Sequence, residues 1–297
     1  MSEQVAKPEL EPAEADKSVQ AERPEENAET SEKDRTLAEQ VAENEYQMYQ
    51  RSCQQYQEIE DEVRQTQQLC APKEGIVKMI EGYDPVTSPQ YFQKAVELGE
   101  KYNSIRRIRG DGNCFYRAVL TALLEKCFED RPLLDKFAAA CKEWRTKLIG
   151  FGFPELTTGD FCDAMETLLE SMQNGTKTVE FLYDDLNNDA MANYYVAFMR
   201  LIASGYLREN EILYSGFIEG LRTLDQYCKD EIEPMWKDAD HIAVIALVNA
   251  IDVPIRIEYM DQTLAPNGGW HHDLPEDSTP VLFFLYRPGH YDVLYPK

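Results

Sequence analysis

Arg109-Gly110-Asp111-Gly112-Asn113-Cys114-Phe115-Tyr116-Arg117-Ala118 is the stretch from which the rest of this 297-residue chain can be read. Two glycines and two turn formers stand directly before Phe115, Ala118, Val119, Ala122 and Leu123, an apolar set at helical spacing. The pattern predicts a tight turn that opens a helix over Cys114 to about Phe128, with Cys114 in its first turn. A thiol is chemically useful there, because the unpaired N–H groups and partial positive charge of a helix N-terminus favour thiolate. Glycines on the approach let backbone N–H groups, those of Cys114 and Asp111 among them, converge on a developing oxyanion. With nothing else beside it, such a cysteine reads as a small buried residue.

The C-terminal end supplies more. His290 follows the turn Arg287-Pro288-Gly289 and opens the strand-like run HYDVLY, with Asp292 two residues on. Side chains at i and i+2 of a strand share a face, so Asp292 can hold the His290 ring. Cysteine, imidazole and carboxylate are the parts of nucleophilic acyl transfer: a thiol, a base that takes and returns its proton, and a group that orients the base. Of the other histidines, His241 opens an apolar helix after Asp240 and reads as a cap or packing residue. His271 and His272 follow Asn267, Gly268 and Gly269 with no cysteine near, which is no metal-binding spacing.

Outward from these segments the chain divides by composition. Residues 1–35 are Glu, Ala, Pro, Lys and Ser with almost no large apolar side chain, and read as a disordered acidic tail. Thr36 to about Leu69 contains no Gly or Pro and carries Leu37, Val41, Met48, Tyr56, Ile59 and Val63 in a thin stripe, the pattern of one long amphipathic helix. Pro72 and Gly75 end it, Ile76 to Pro89 reads as loop, and the compact domain is placed at residues 76–297. Helical patterns follow over Tyr91–Tyr102, Leu133–Ile149, Thr158–Gln173, Met191–Ala203, Glu209–Phe217 and His241–Ala250. A short strand is expected at Ile105–Arg109, and further strands at Ile255–Met260, Val281–Tyr286 and from His290. The expected class is a mixed α/β domain of the α+β type, its strands gathered near the C-terminus.

Composition excludes several roles. A formal charge of −24 repels phosphate backbones and anionic lipid, so nucleic-acid and membrane-surface binding are disfavoured. Seven cysteines with no C-x-x-C pair form neither a disulfide framework nor a zinc site, and a reducing cytosolic or nuclear location is expected. No cofactor or metal is called for, and a monomer is expected.

Asp111 to Ala118, together with Tyr286-Arg287-Pro288-Gly289-His290-Tyr291-Asp292, resembles the nucleophile and histidine segments of the ovarian-tumour-domain cysteine proteases, and within them the otubains. Phe217-Ile218-Glu219-Gly220, Glu233-Pro234-Met235, Asp240-His241-Ile242 and Glu258-Tyr259-Met260-Asp261 fit the same pattern. The tail and long helix are similar to those of otubains with an extended N-terminus. The resemblance implies a thiol isopeptidase that removes ubiquitin from lysine side chains, with a preference for lysine-48-linked chains. It implies Cys114 as nucleophile, His290 as general base and acid, Asp292 as orienting group and Asp111 in the oxyanion-side turn. Phe217, Asp238, His241, Tyr286, Arg287 and Pro288 would face ubiquitin. It also implies a second activity that needs no cleavage: restraint of ubiquitin-charged conjugating enzymes, with the N-terminal helix as a contact arm. The alternative expectation is a protein that is mainly such a non-catalytic regulator.

Overall fold

The computed structural model describes residues 26–263 and 270–297. The greater part of the expected acidic tail, residues 1–25, and the Asn267-Gly268-Gly269 segment lie outside them. The chain forms two compact units, residues 1–57 and 58–297.

In the first unit the described residues belong to α1 (Glu26–Thr66), which continues into the second. The helix starts ten residues before the expected Thr36. Pro24 is the last breaker, and Glu26-Asn-Ala-Glu-Thr-Ser-Glu-Lys-Asp-Arg35 contains nothing that interrupts an i→i−4 ladder. Val41, Tyr46, Met48 and Tyr49 stand exposed on it.

The second unit is built on a six-stranded sheet of order β1-β2-β6-β5-β3-β4. The strands are β1 (Cys70–Gly75), β2 (Tyr102–Ile108), β3 (Ile255–Tyr259), β4 (His271–Leu274), β5 (Leu282–Arg287) and β6 (His290–Pro296). All neighbours are antiparallel except β3 and β5. The boundary expected at residue 76 therefore falls inside the fold. Pro72 and Gly75 read as breakers, but an edge strand tolerates them, and β1 carries a register shift between Cys70 and Lys73. The segment read as loop after it holds α2 (Ile76–Glu81), and α3 (Pro89–Lys101) follows.

Helices cover both faces of the sheet, and strand alternation sorts the side chains between them. Ile105, Leu285 and Leu294 pack with Ile76, Met79, Ala95 and Leu98 of α2 and α3. Phe284, Tyr291 and Val293 face the larger core, built with α4 (Cys114–Glu129), α5 (Arg131–Gly150), α6 (Glu155–Gln173), α7 (Val179–Leu186) and α8 (Asp189–Glu209). Two single turns, α9 (Glu211–Tyr214) and α10 (Leu224–Tyr227), lead through a π-helical turn at Cys228–Ile232 to α11 (His241–Ile251). The class is the expected mixed α/β arrangement. The helix expected over Glu209–Phe217 is shorter than its pattern: after α9 the chain tightens into a 3-10 turn at Ser215–Phe217, where Ser215 and Gly216 are weak helix formers. His271 and His272 lie on β4, an edge strand that the glycines before it conceal in the sequence.

β5 and β6 form a hairpin closed by the pair Arg287 and His290. Pro288 presets φ for the first central position, and Gly289 supplies the positive φ, +76°, of the second, as a type II turn requires. The turn places His290 at the end of the sheet beside the start of α4.

Candidate active site

Cys114 is the first residue of α4 and is 3% exposed. Asn113, the residue before it, makes no side-chain cap, so the leading N–H groups of the helix, that of Cys114 first, are left with no intrahelical acceptor. The Cys114 Sγ lies 4.0 Å from the carbonyl oxygen of Gly289, the residue before His290, which brings the thiol close enough to the imidazole to raise the ring's pKa. The sequence elements 176 positions apart thus meet.

His290 Nε2 sits 3.0 Å from Asp292 Oδ1, which leaves Nδ1 for the thiol. Burial opposes charge on the imidazole, but the hydrogen bonds to Asp292 and Cys114 and their negative charge outweigh it, and the His290 pKa is pushed up to about 9. Asp292 has no exposed surface. Burial would raise its pKa, yet His290, Arg287 and the Ile108 N–H together hold it below the ordinary carboxylate range. Its Oδ1 also accepts the Ile108 N–H at 2.9 Å, and its Oδ2 faces Arg287 at 2.5 Å and Arg107 at 3.4 Å. A buried carboxylate with this many donors is locked in place and ionised.

The turn before Cys114 is clamped from beneath. Buried Arg200, from the middle of α8, donates to Asn113 Oδ1 at 2.7 Å, to the carbonyls of Gly112 at 2.9 Å and Lys237 at 2.6 Å, and to Ile232 O at 3.0 Å. Its guanidinium carbon lies 4.3 Å from the centre of the Tyr116 ring. Asn113 Oδ1 also accepts the Trp236 N–H at 3.1 Å, so the segment Ile232–Lys237 and the nucleophile loop are one unit. Gly112 has φ +72°, and a Cβ there would lie 2.3 Å from the Trp236 carbonyl oxygen. Only glycine fits.

Asp111 holds the same turn. Its Oδ1 accepts the Asn113 N–H at 3.0 Å and its Oδ2 pairs with fully buried Arg117 at 2.7 Å. Its own N–H donates to Arg109 O at 3.1 Å, so in this conformation Cys114 N–H, rather than Asp111 N–H, is the donor turned toward an incoming oxyanion.

The other cysteines offer no competing centre. Cys70, Cys127, Cys141, Cys162 and Cys228 are buried, and burial raises each thiol, Cys162 and Cys228 to about 11. Cys53 is exposed on α1. An open cleft of about 850 Å³ runs to the His290–Asp292 pair, walled by Gln67, Ala71, Arg107, Gly110 and Pro288.

The residues expected to face ubiquitin divide. Phe217 is 69% exposed, close in sequence to exposed Ile212, Leu213 and Leu221. Asp238, His241 and Pro288 are also exposed. Tyr286 is half-buried between the rings of Tyr259 and Tyr291, and Arg287 is committed to Asp292. Sequence reading missed Arg200, Arg117 and Arg107. Arg200 had a signal: it lies four residues after Val196 and seven before Leu207, inside the apolar stripe of α8.

The family model of peptidase C65, otubain, matches residues 61–296. An otubain-like ubiquitin thioesterase of Caenorhabditis elegans is 48% identical over 82% of this chain and 87% of its own length. Human ubiquitin thioesterase OTUB1 is 41% identical over 69% of this chain and 75% of its own. Among solved structures, a complex described as h/ceOTUB1, ubiquitin aldehyde and UBCH5B~Ub superposes with a TM-score of 0.81 at 46% identity, covering 84% of this chain and 98% of the other. A ceOTUB1, ubiquitin aldehyde and UBC13~Ub complex gives 0.80 at 48% identity, covering 82% and 99%. With a thiol at an uncapped helix start, an imidazole on that thiol and a buried carboxylate behind it, the chain belongs to the otubain family, peptidase C65, and is a cysteine-type deubiquitinase.

Proposed function

We propose that the protein hydrolyses ubiquitin–lysine isopeptide bonds, with lysine-48-linked chains as preferred substrate, through Cys114, His290 and Asp292. The placing of the Cys114 thiol 4.0 Å from the carbonyl of Gly289, next to a His290 ring held by Asp292, carries the reading. The thiol proton passes to His290 Nδ1, where a pKa of about 9 keeps it at neutral pH, and the thiolate attacks the isopeptide carbonyl. Negative charge gathers on the carbonyl oxygen at the head of α4, where Cys114 N–H and the helix terminus oppose it. The imidazolium then protonates the leaving lysine amine. Water attacks the thioester with His290 as base, which frees the ubiquitin carboxylate and restores the thiol. Asp292 fixes the tautomer throughout and stabilises the imidazolium. Phe217, with Asp238 and His241, is the surface offered to the ubiquitin being released. Phe217 is exposed, as are Asp238 and His241, and an interface draws on an apolar core with a polar rim.

Cleavage of diubiquitins of each linkage, followed by gel, tests the reading. The lysine-48 dimer should disappear first, and Cys114→Ser should leave it intact while still binding it. Equal rates on all linkages would remove the preference, and cleavage by Cys114→Ser would remove the mechanism.

A second activity has its own support. The similar solved complexes hold ubiquitin-charged conjugating enzymes alongside ubiquitin aldehyde, and α1 carries exposed Val41, Tyr46, Met48 and Tyr49. We infer that this protein also binds ubiquitin-charged conjugating enzymes and slows chain synthesis, with residues 36–57 as part of the contact. Val41→Asp with Met48→Asp should abolish inhibition of a conjugating enzyme while diubiquitin cleavage continues. Inhibition that survives both substitutions would exclude the helix. A reduced Cys114 fits a cytosolic or nuclear location, which imaging of the tagged chain would test.

A further inference from the structure

The mechanism requires His290 Nδ1 to stay within reach of a proton on sulphur, and Asp292 fixes only the opposite edge of the ring. Gly110 lies beside the Nδ1 and Cε1 atoms of the ring. A Cβ on that residue would stand 3.5 Å from His290 Nδ1 and 3.8 Å from Cε1, so the glycine backbone lies one contact away from the atom that accepts the proton. Gly110 is exposed, and no side chain packing of its own fixes it. Its N–H is taken by one group, Gln67 Oε1, at 3.2 Å.

Gln67 is unusual for an exposed glutamine in being fixed at its own backbone. Its N–H donates to Val63 O at 2.9 Å, continuing the ladder of α1. Its carbonyl accepts Arg109 Nε at 2.9 Å. Arg109 is 7% exposed, reaches Arg64 O at 3.4 Å and Asp189 at 3.1 Å, and donates its own N–H to Leu69 O at 3.2 Å. The glutamine side chain therefore extends from an anchored base to Gly110, an exposed residue beside the general base. Gln67, Gly110 and His290 line the same cleft.

We propose that Gln67 is a positioning residue of the reaction, holding the Gly110 backbone against the His290 imidazole through a single hydrogen bond. The proposal rests on the Cys114–His290 assignment. Because Gln67 is exposed, its loss costs the fold little. Misplacement of a reacting group by about 1 Å costs up to about 100-fold in rate.

The experiment uses the full chain with Cys53→Ser, which removes the exposed competing thiol. Gln67→Met keeps the length of the side chain and removes the acceptor. Gln67→Glu keeps the acceptor. Two readouts are taken: kcat and KM on a ubiquitin–lysine isopeptide substrate, and the rate at which iodoacetamide alkylates Cys114 at pH 7, located by mass spectrometry. Gln67→Met should lower kcat by about 10-fold or more with KM within about twofold, and should slow alkylation; Gln67→Glu should recover most of both. Unchanged kcat in Gln67→Met, an equal loss in both variants, or a rise in KM alone would each overturn the proposal. Iodoacetamide needs no ubiquitin and so separates the two levels. If Cys114 in the parent chain reacts no faster than a free thiol, the Cys114–His290 assignment itself fails and takes the proposal with it. If it reacts fast and Gln67→Met does not slow it, the assignment stands and the role of Gln67 falls.

Discussion

Gly112→Ala is the smallest change that should disable the site, and its cost can be built from two parts. The φ of +72° places an alanine in the left-handed region, a penalty of about 1–2 kcal/mol. The added Cβ would also sit 2.3 Å from the Trp236 oxygen and 2.4 Å from its carbonyl carbon, far inside contact distance. The two segments cannot part freely, because Arg200 ties Gly112 O to Lys237 O and Asn113 ties the turn to the Trp236 N–H. Relief therefore sacrifices at least one hydrogen bond to a charged donor, about 1.5–3 kcal/mol. The sum is about 2.5–5 kcal/mol. Gly175 supplies the control: it has φ +71°, and a Cβ there meets nothing within 4 Å, so Gly175→Ala should cost only the backbone penalty. In urea, with a slope of about 3 kcal/mol/M, Gly112→Ala should lower the midpoint by about 1 M or more and Gly175→Ala by about 0.5 M. Diubiquitin cleavage should fall only in Gly112→Ala. Equal midpoint shifts for the two glycines would refute the clash with Trp236.

Stability should vary with pH through His290. Its pKa is raised from 6.5 to about 9 in the folded chain, so its contribution is complete below pH 6.5 and is lost as pH rises through 9, a change of about 3 kcal/mol. Urea midpoints at pH 6.5 and 9.5 measure it, and His290→Gln should flatten the difference; a parent chain equally stable at both values would contradict the pairing. Asp292→Asn should lower kcat by about 100-fold or more, because an amide can present its N–H to Nε2 and favour the wrong tautomer. Retention of full kcat would show that Arg107 and Arg287 do not need a carboxylate between them. Arg200→Met leaves Asn113 Oδ1 and three carbonyls without their shared donor and should destabilise the chain by about 3 kcal/mol or more, read as a thermal shift. A shift smaller than that of an exposed arginine variant such as Arg131→Met would disprove the clamp.

The local parts of the site were legible. Cys114 at a helix start follows from helical period behind two glycines, and the His290–Asp292 pair follows from strand alternation, both of which span only a few residues. What locks the site was not, because it is tertiary. Arg200 reaches Asn113 across 87 positions: its place in the apolar stripe of α8 marks it as buried, but not which groups it holds. Arg287 sits in a segment that reads as substrate contact, yet its guanidinium is spent on Asp292, a pairing set by hairpin register. The same distinction runs through the fold. Apolar runs such as Leu282–Leu285 announce themselves as strands, whereas β1 and β4 have polar or breaker-rich sequences and are strands only because a neighbour offers them an edge. The start of the folded unit was placed too late for that reason.

Reaction of the purified, reduced chain with a ubiquitin carrying an electrophile at its C-terminus addresses the catalytic centre directly. Intact mass should show one ubiquitin added per chain, peptide mapping should place it on Cys114, and Cys114→Ser should give none. An adduct on Cys53 or any other cysteine, or undiminished labelling of Cys114→Ser, would contradict Cys114 as the nucleophile.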